Sequence, residues 1–297
     1  MGDFYQNGIV TTLHNLSDRP LEDLERDLHQ FSSARPMGLI LPSLYSELEG
    51  EALPHILEEL KPASYLSEIV IGLDRADEAQ YCSALEFFGR LPQRHRVLWN
   101  DGPRLQALDA QLREQDLAPK ELGKGRNVWY CMGYTLASNR TESVALHDCD
   151  ILTYDRSLLA RLIYPVAHPR FNYEFCKGYY ARIAGGKING RVSRLLVTPL
   201  LRALKKVVNS ELEYLQYMDS FRYPLAGEFS FRRDVLNDIL IPSDWGLEIG
   251  VLSEMYRNYA NNRLCQADIA DVYDHKHQDL SAEHDDGGLS KMSIDIS

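Results

Sequence analysis

The sequence is short of most features that mark specialised protein classes. Cysteine is scarce and odd in number: five residues in 297, at positions 82, 131, 149, 176 and 265, with no CxxC pair. That excludes a disulfide framework and a structural zinc, and fits thiols kept reduced in a cytoplasm. No apolar run approaches the ~18–20 residues that would span a bilayer. The opening MGDFYQNGIV lacks the basic and apolar regions of a secretory signal. Positive charge is also in deficit: 32 Lys and Arg stand against 43 Asp and Glu, a net charge of −11. Nucleic acid and anionic membrane surfaces are therefore excluded as general partners, while a local basic pocket for an anionic metabolite is not. There is no internal repeat and no low-complexity segment. What remains is ordinary globular usage, 44% hydrophobic and 25% charged, in a chain long enough for one large α/β domain or two small ones.

Residues 1–35 read as a helical lead-in, since Leu21, Leu24, Leu28 and Phe31 recur at helical spacing behind Pro20. Short apolar runs then alternate with longer amphipathic ones. Strands are expected at Met37–Leu41, Glu68–Leu73, Arg96–Asn100 and Ser143–Asp150, with helices between them, including GRNVWYCMGYTLAS before the fourth strand. This alternation implies a mostly parallel sheet with helices on both faces. Ligands of such sheets sit beyond the carboxyl ends of the strands, which here are Pro42–Glu47, Asp74, Asn100–Asp101 and Asp148–Asp150. After residue 155 the order loosens. The pattern predicts a helix at Arg156–Tyr164, an aromatic strand at Phe171–Ile183, a Gly-rich loop, a helix at Val192–Leu204, one from about Leu247 to Tyr259, and a strand near Ala267–Tyr273. Residues 281–297 form a polar tail.

Several motifs carry chemistry. Asp148 and Asp150 flank Cys149 at a strand end, where two carboxylates at i and i+2 can approach one hard divalent cation. His275 and His277 follow the last expected strand and share a face if it continues. Gly123-Lys124-Gly125 opens a helix, so a lysine and backbone N–H groups face any anion there, although the phosphate loop GxxxxGK[ST] is absent. In AGGKINGRVSRLL, Gly190 precedes Arg191, Val192 and Ser193 at a helix start, a second anion-binding arrangement, in which arginine can bind phosphate bidentately. PLAGE and DWGLE place Glu228 and Glu248 in Gly-bearing turns.

The order LPSLYSE, GLD, GKG, DCD, KGYYAR, GRVSRLLVTPLL, PLAGEFSFRRDVL, WGLEIG and DHKHQDLS, from about residue 36 to 293, resembles the glucosyl-3-phosphoglycerate synthases and the related mannosyl-3-phosphoglycerate synthases. These are retaining glycosyltransferases of GT-A fold, a Rossmann-like nucleotide-sugar-binding α/β architecture. The resemblance implies a nucleotide-sugar-binding half at 36–155 and an acceptor-binding half at 156–280. It implies donor contacts from Pro42, Ser43, Leu44, Glu47, Asp74, Lys124 and Asp148, with Lys124 near the diphosphate. It implies that Gly190, Arg191, Val192 and Ser193 hold the phosphoglycerate; Ser193 stands where threonine is common and keeps the hydroxyl. Glu228 falls near the donor sugar, and Asp150, Glu228 and Lys124 carry catalysis. The metal, Mg²⁺ or Mn²⁺, falls to Asp150, Asp148 and His277. The HQ pair at His277 is similar to the family's HR, and His275 is the competing candidate.

The activity so implied is transfer of a hexose with retention from a nucleotide sugar, UDP-glucose first, to the 2-hydroxyl of 3-phosphoglycerate, by a cytoplasmic homodimer. Mannose from GDP-mannose is the alternative. A nucleotidyltransferase would want a G-G-x-G-T-R-like loop after the first strand, and LPSLYSEL lacks it. A non-catalytic sugar-nucleotide-binding domain would be favoured by loss of a DxD acid or of the histidine, and all three are present.

Overall fold

A computed structural model of the chain describes residues 8–14, 19–184, 187–188, 190–208, 212–243 and 246–275. The first half alternates as expected: β1 (Thr11–Leu13), α1 (Leu21–Ser32), β2 (Met37–Leu44), α2 (Ala52–Leu60), β3 (Leu66–Asp74), α3 (Glu78–Phe88), β4 (His95–Trp99), α4 (Pro103–Arg113), α5 (Lys124–Ser138) and β5 (Ser143–Leu146). The second half adds α6 (Arg156–Ala167), β6 (Phe175–Tyr180), the short β7 (Ile183–Ala184) and β8 (Lys187–Ile188), and α7 (Thr198–Val207). Then follow α8 (Glu213–Ser220), β9 (Phe229–Arg232), α9 (Leu247–Asn258) and β10 (Leu264–Ala270).

Strands from both halves form one eight-stranded sheet in the order β1-β10-β6-β9-β5-β2-β3-β4. Neighbours are parallel except where β9 runs antiparallel between β5 and β6. Side-chain alternation along the central strands fills two cores. Leu39, Leu41, Ile69 and Ile71 face a cluster that includes Leu24 and Leu28 of α1, Ile56 of α2 and Leu159 of α6. Ile40, Val70, Val144 and Leu146 face the other, with Val128 of α5, Met218 of α8 and Val251 of α9. This is why those strands read as continuous apolar runs: both faces are covered.

Local chemistry sets the element ends. Asp77 caps α3 by accepting from Gln80 N at 2.8 Å while Gln80 Oε1 accepts from Asp77 N at 2.9 Å, a reciprocal capping box. Asp155 accepts from Ser157 N at 2.8 Å and opens α6. Asn139, left-handed at φ 53°, ends α5.

The structure differs from the sequence reading in several places. The expected strand Met37–Leu41 continues through Pro42 to Leu44. Ile40 O accepts from His147 N on the β5 side, so the absent N–H of Pro42 also faces that side, and β5 stops pairing at Ile40. The DCD strand is shorter than read: β5 ends at Leu146, which frees Asp148 and Asp150 as a loop. The aromatic strand shrinks to Phe175–Tyr180 and the last strand shifts to Leu264–Ala270. The helix read at Val192–Leu204 contains a π-helical stretch at Ser193–Val197, before Pro199 of α7. Helix α8 and strands β1 and β9 were not expected at all. Each is short, and β9 follows the loop-like PLAGE without a turn signal of its own.

Candidate active site

The carboxyl ends of β2, β3 and β5 and the start of α5 converge with the PLAGE turn and the start of α9. Past β5, Asp148 Oδ1 lies 2.6 Å from Lys124 Nζ, and the same ammonium lies 3.0 Å from Glu248 Oε1. Lys124 is aimed there because it is the first residue of α5, behind Gly123 at φ 152°. Burial alone would lower the lysine, but Asp148 and Glu248 more than offset it and hold it well above its ordinary range. Burial likewise pushes the Asp148 carboxyl up, and the charge and hydrogen bond of Lys124 bring it below its ordinary value. Gly227 closes over this pair. A Cβ there would sit 2.3 Å from Asp148 Oδ2 and 2.8 Å from Lys124 Nζ, so any side chain would displace this charged pair.

The next residue, Glu228, is fully buried. Its Oε2 accepts from Tyr180 Oη at 2.7 Å and its Oε1 from Tyr273 Oη at 2.6 Å. The two phenol rings stack at 3.6 Å with 7° between their planes. Burial and the repulsion of Asp148 push the Glu228 carboxyl up to about 7, against the pull of the two phenols and Lys124. Beneath the turn, the buried Lys177 donates to Ala226 O and lies 5.3 Å from the centre of the Phe229 ring. Burial pushes that lysine down to about 8.

Beside them, the turn after β2 folds Glu47 back so that its Oε2 accepts from Leu44 N and Ser43 Oγ, each at 3.2 Å. Burial and the repulsion of Asp150 push Glu47 up to about 7. Burial and Asp148 push Asp150 up to about 6. Both carboxyls stay raised even though Lys124 and Arg182 act on Asp150, which is the electrostatic condition a hard divalent ion relieves. His275 Nδ1 lies 3.8 Å from Asp150 Oδ2, brought there by an antiparallel bridge between His275 and Ile151. Among the described residues no three His, Cys, Asp or Glu side chains form a metal-binding group. The donor chemistry still suits Mg²⁺ or Mn²⁺, which take carboxylate oxygen and fill their remaining positions with water and phosphate oxygen. His277 lies outside the described residues.

Asp74 stands in a separate subsite at the end of β3, where its Oδ1 accepts from Asn100 Nδ2 at 3.0 Å. Burial pushes its carboxyl up. Among the described residues Asn100 Oδ1 and Arg126 Nε nearby are buried without a hydrogen-bond partner, and Arg126 Nε lies 4.0 Å from Asp109 Oδ1. Pro42, Ser43 and Leu44 line the strand end between this subsite and Glu47.

On the other side of the cleft, Gly190 is left-handed at φ +78° and its carbonyl accepts from Arg194 N at 3.1 Å, opening the helix. Arg191 is exposed, Val192 half-buried, and Ser193 buried with an Oγ that finds no partner among the described residues. Tyr223 and Arg182 face Gly190, with Arg182 Nη1 donating to Tyr223 Oη at 3.0 Å.

Sequence reasoning named Lys124, Asp148, Asp150, Glu47 and Glu228, and they form one electrostatically linked group. It did not single out Lys177, Tyr180, Arg182 or Tyr273, and it gave Glu248 little weight. The available signal was two charges inside an aromatic strand, KGYYAR, where a buried strand favours apolar residues.

No family model matches the chain. Among curated proteins it is 48% identical over 296 residues to the glucosyl-3-phosphoglycerate synthase of Persephonella marina, covering 100% of this chain and 73% of that protein. It is 40% identical over 298 residues to the enzyme of the same name from Methanococcoides burtonii, covering 99% and 72%. Among solved structures it matches glucosyl-3-phosphoglycerate synthase from Mycobacterium tuberculosis in complex with phosphoglyceric acid, with TM-score 0.69, 21% identity, and 97% of this chain and 85% of that one covered. A second structure of that enzyme, in complex with Mn²⁺, UDP and glucosyl-3-phosphoglycerate, gives TM-score 0.69 at 20% identity, covering 97% and 85%. At that identity the match establishes a shared GT-A fold.

Proposed function

Because the chain belongs to the glucosyl-3-phosphoglycerate synthase family, we propose that its cleft transfers glucose from UDP-glucose to the 2-hydroxyl of 3-phosphoglycerate, with retention of the α-configuration. The observation that carries this reading is the Lys124–Asp148–Glu248 cluster beside Asp150, roofed by Gly227. It puts one fixed cation and a set of carboxyls in need of a second cation at the carboxyl end of a mostly parallel sheet, where a nucleotide sugar binds.

In this reading Asp74 and the strand end Pro42–Leu44 receive the nucleoside, and Lys124 faces the diphosphate. Asp150, Asp148 and a histidine hold Mg²⁺ or Mn²⁺, which neutralises charge building on the leaving diphosphate. Gly190, Arg191, Val192 and Ser193 hold the acceptor at a helix start, where backbone N–H groups and an arginine suit a phosphate. Both oxygens of Glu228 already accept from phenols, which supports a residue that orients sugar hydroxyls over a covalent nucleophile. Attack then comes from the face that the diphosphate leaves, and the 2-hydroxyl proton passes to a departing phosphate oxygen.

The division into a donor half (36–155) and an acceptor half (156–280) belongs to the same proposal. So does a homodimer, for which Leu195, Val207 and Val208 offer exposed apolar surface. Phosphorylated substrates and the four buried, unpaired cysteines suit a cytoplasmic enzyme, and among the described residues no helix is long and apolar enough to cross a membrane. The test is to incubate the protein with 3-phosphoglycerate, Mg²⁺ and a panel of sugar nucleotides. Release of UDP from UDP-glucose in preference to all others is expected. Preferential release of GDP from GDP-mannose would overturn the donor assignment.

A further inference from the structure

Among the described residues, one cation in the cleft makes no ion pair with a carboxylate. Arg182 follows β6, half-buried, and among the described residues its only hydrogen bond runs to a neutral phenol, Tyr223 Oη, at 3.0 Å. The groups that act on it most are three tyrosines, Tyr223, Tyr180 and Tyr273. A guanidinium carries five N–H donors in a planar fork, so most of its capacity is open. Its position is fixed from two sides: Tyr223 packs at 5.3 Å, edge to face, on Tyr180 of the Glu228 clamp, and the Arg182 stem passes Gly190. A Cβ on Gly190 would lie 3.8 Å from Arg182 Cδ and 3.8 Å from Tyr223 Oη. Arg182 therefore stands beside the acceptor loop, against Gly190 and Tyr223. In the same loop, the buried Ser193 hydroxyl has no hydrogen-bond partner among the described residues.

Resting on the functional reading above, we propose that Arg182 is the specificity-determining residue that grips the carboxylate of the acceptor, while Arg191 at the helix start grips its phosphate. The acceptor has an anion at each end and the reacting hydroxyl between them. Two arginines, one on each side of Gly190, would hold both ends and leave that hydroxyl facing the donor. A carboxylate matches the guanidinium fork bidentately, and Tyr223 keeps the fork turned toward the loop.

The test compares 3-phosphoglycerate with glycerol 3-phosphate, which keeps the phosphate and lacks the carboxylate. Their affinities are measured by calorimetry on the Mg²⁺- and UDP-loaded enzyme, alongside kcat/KM with UDP-glucose. The wild type is expected to prefer 3-phosphoglycerate at least ~10-fold, the scale of one charge-assisted bidentate contact. Arg182→Ala should erase that preference, leaving glycerol 3-phosphate affinity and the KM for UDP-glucose unchanged. Arg182→Lys, which keeps charge without the fork, should fall between, and Tyr223→Phe should weaken the preference by loosening the fork. A preference undiminished in Arg182→Ala would overturn the proposal. So would an equal loss for both acceptors, which would put Arg182 on the phosphate, or a raised KM for UDP-glucose, which would put it on the donor. A wild-type enzyme that neither binds 3-phosphoglycerate nor turns over would sink the functional reading itself, an outcome read before any variant is made.

Discussion

Lys124 Nζ sits 2.6 Å from Asp148 Oδ1, and the same two groups are the ones a Cβ on Gly227 would strike. Helix α5, the loop after β5 and the PLAGE turn are thus fitted to one another at a single charged contact. Removing the cation leaves Asp148 and Glu248 facing each other uncompensated, and removes a fixed positive charge from the expected diphosphate site. Lys124→Met should lower kcat/KM by ~10²–10³-fold, the scale of losing one charged transition-state donor. Steady-state kinetics check this, and a change below ~3-fold would separate Lys124 from the chemistry.

The Asp150 carboxyl is pushed up to about 6 by burial and Asp148. A divalent ion bound there removes the repulsion. Asp150→Ala should cost on the order of 10³-fold in rate, several kcal/mol of transition-state stabilisation. Chelation of the wild type by EDTA should do the same, and restored Mg²⁺ or Mn²⁺ should rescue the wild type alone. Undiminished turnover in EDTA would remove the metal from the account.

Arg191 is exposed at the start of its helix. Arg191→Ala should raise the KM for 3-phosphoglycerate about 10-fold or more through loss of a charge-assisted contact worth roughly 1.5–3 kcal/mol, with the KM for the donor unchanged. Loss of donor affinity instead would mean that this loop serves the nucleotide.

The outline of the fold was legible because β2 and β3 are buried on both faces, so their apolar runs are unbroken, and because acids and prolines mark the helix starts. Strand β9 was not legible: its pairing is decided by β5 and β6, far away in sequence. The Asp148–Asp150 pair and Lys124 could be read locally, since a strand end and a helix start each fix where a side chain points. Tyr273 and Tyr180 could not. Their roles arise from a stack that joins residues 93 apart in the chain, visible only once β6 and the segment after β10 lie side by side.

Lys177 gives a pH signature. Its ammonium is pushed down from 10.5 to about 8 by burial, so between about pH 8 and 10.5 the unfolded chain binds more protons than the native one. Stability from this group therefore rises with pH across that window. Chemical denaturation of wild type and Lys177→Met, compared at pH 7.5, 9 and 10.5, isolates it from tyrosine titration common to both. The difference between them should shift in favour of the wild type as pH rises. A pH-independent difference would show that Lys177 titrates normally.

Glu228, held by Tyr180 and Tyr273, should tolerate Glu228→Gln with measurable activity, because an amide oxygen still accepts from one phenol. Glu228→Ala should lose more. Mass spectrometry of the enzyme trapped during turnover should find no glycosyl adduct on Glu228.

The most direct test of the whole account is proton NMR of the product formed from UDP-glucose, 3-phosphoglycerate and Mg²⁺. Retaining transfer at the Lys124–Asp148–Asp150 cleft predicts stoichiometric UDP and a glucosyl-3-phosphoglycerate whose anomeric proton shows the small coupling of an α-linkage, absent with Asp150→Ala. A β-linked product, or the same product formed undiminished by Asp150→Ala, would contradict it.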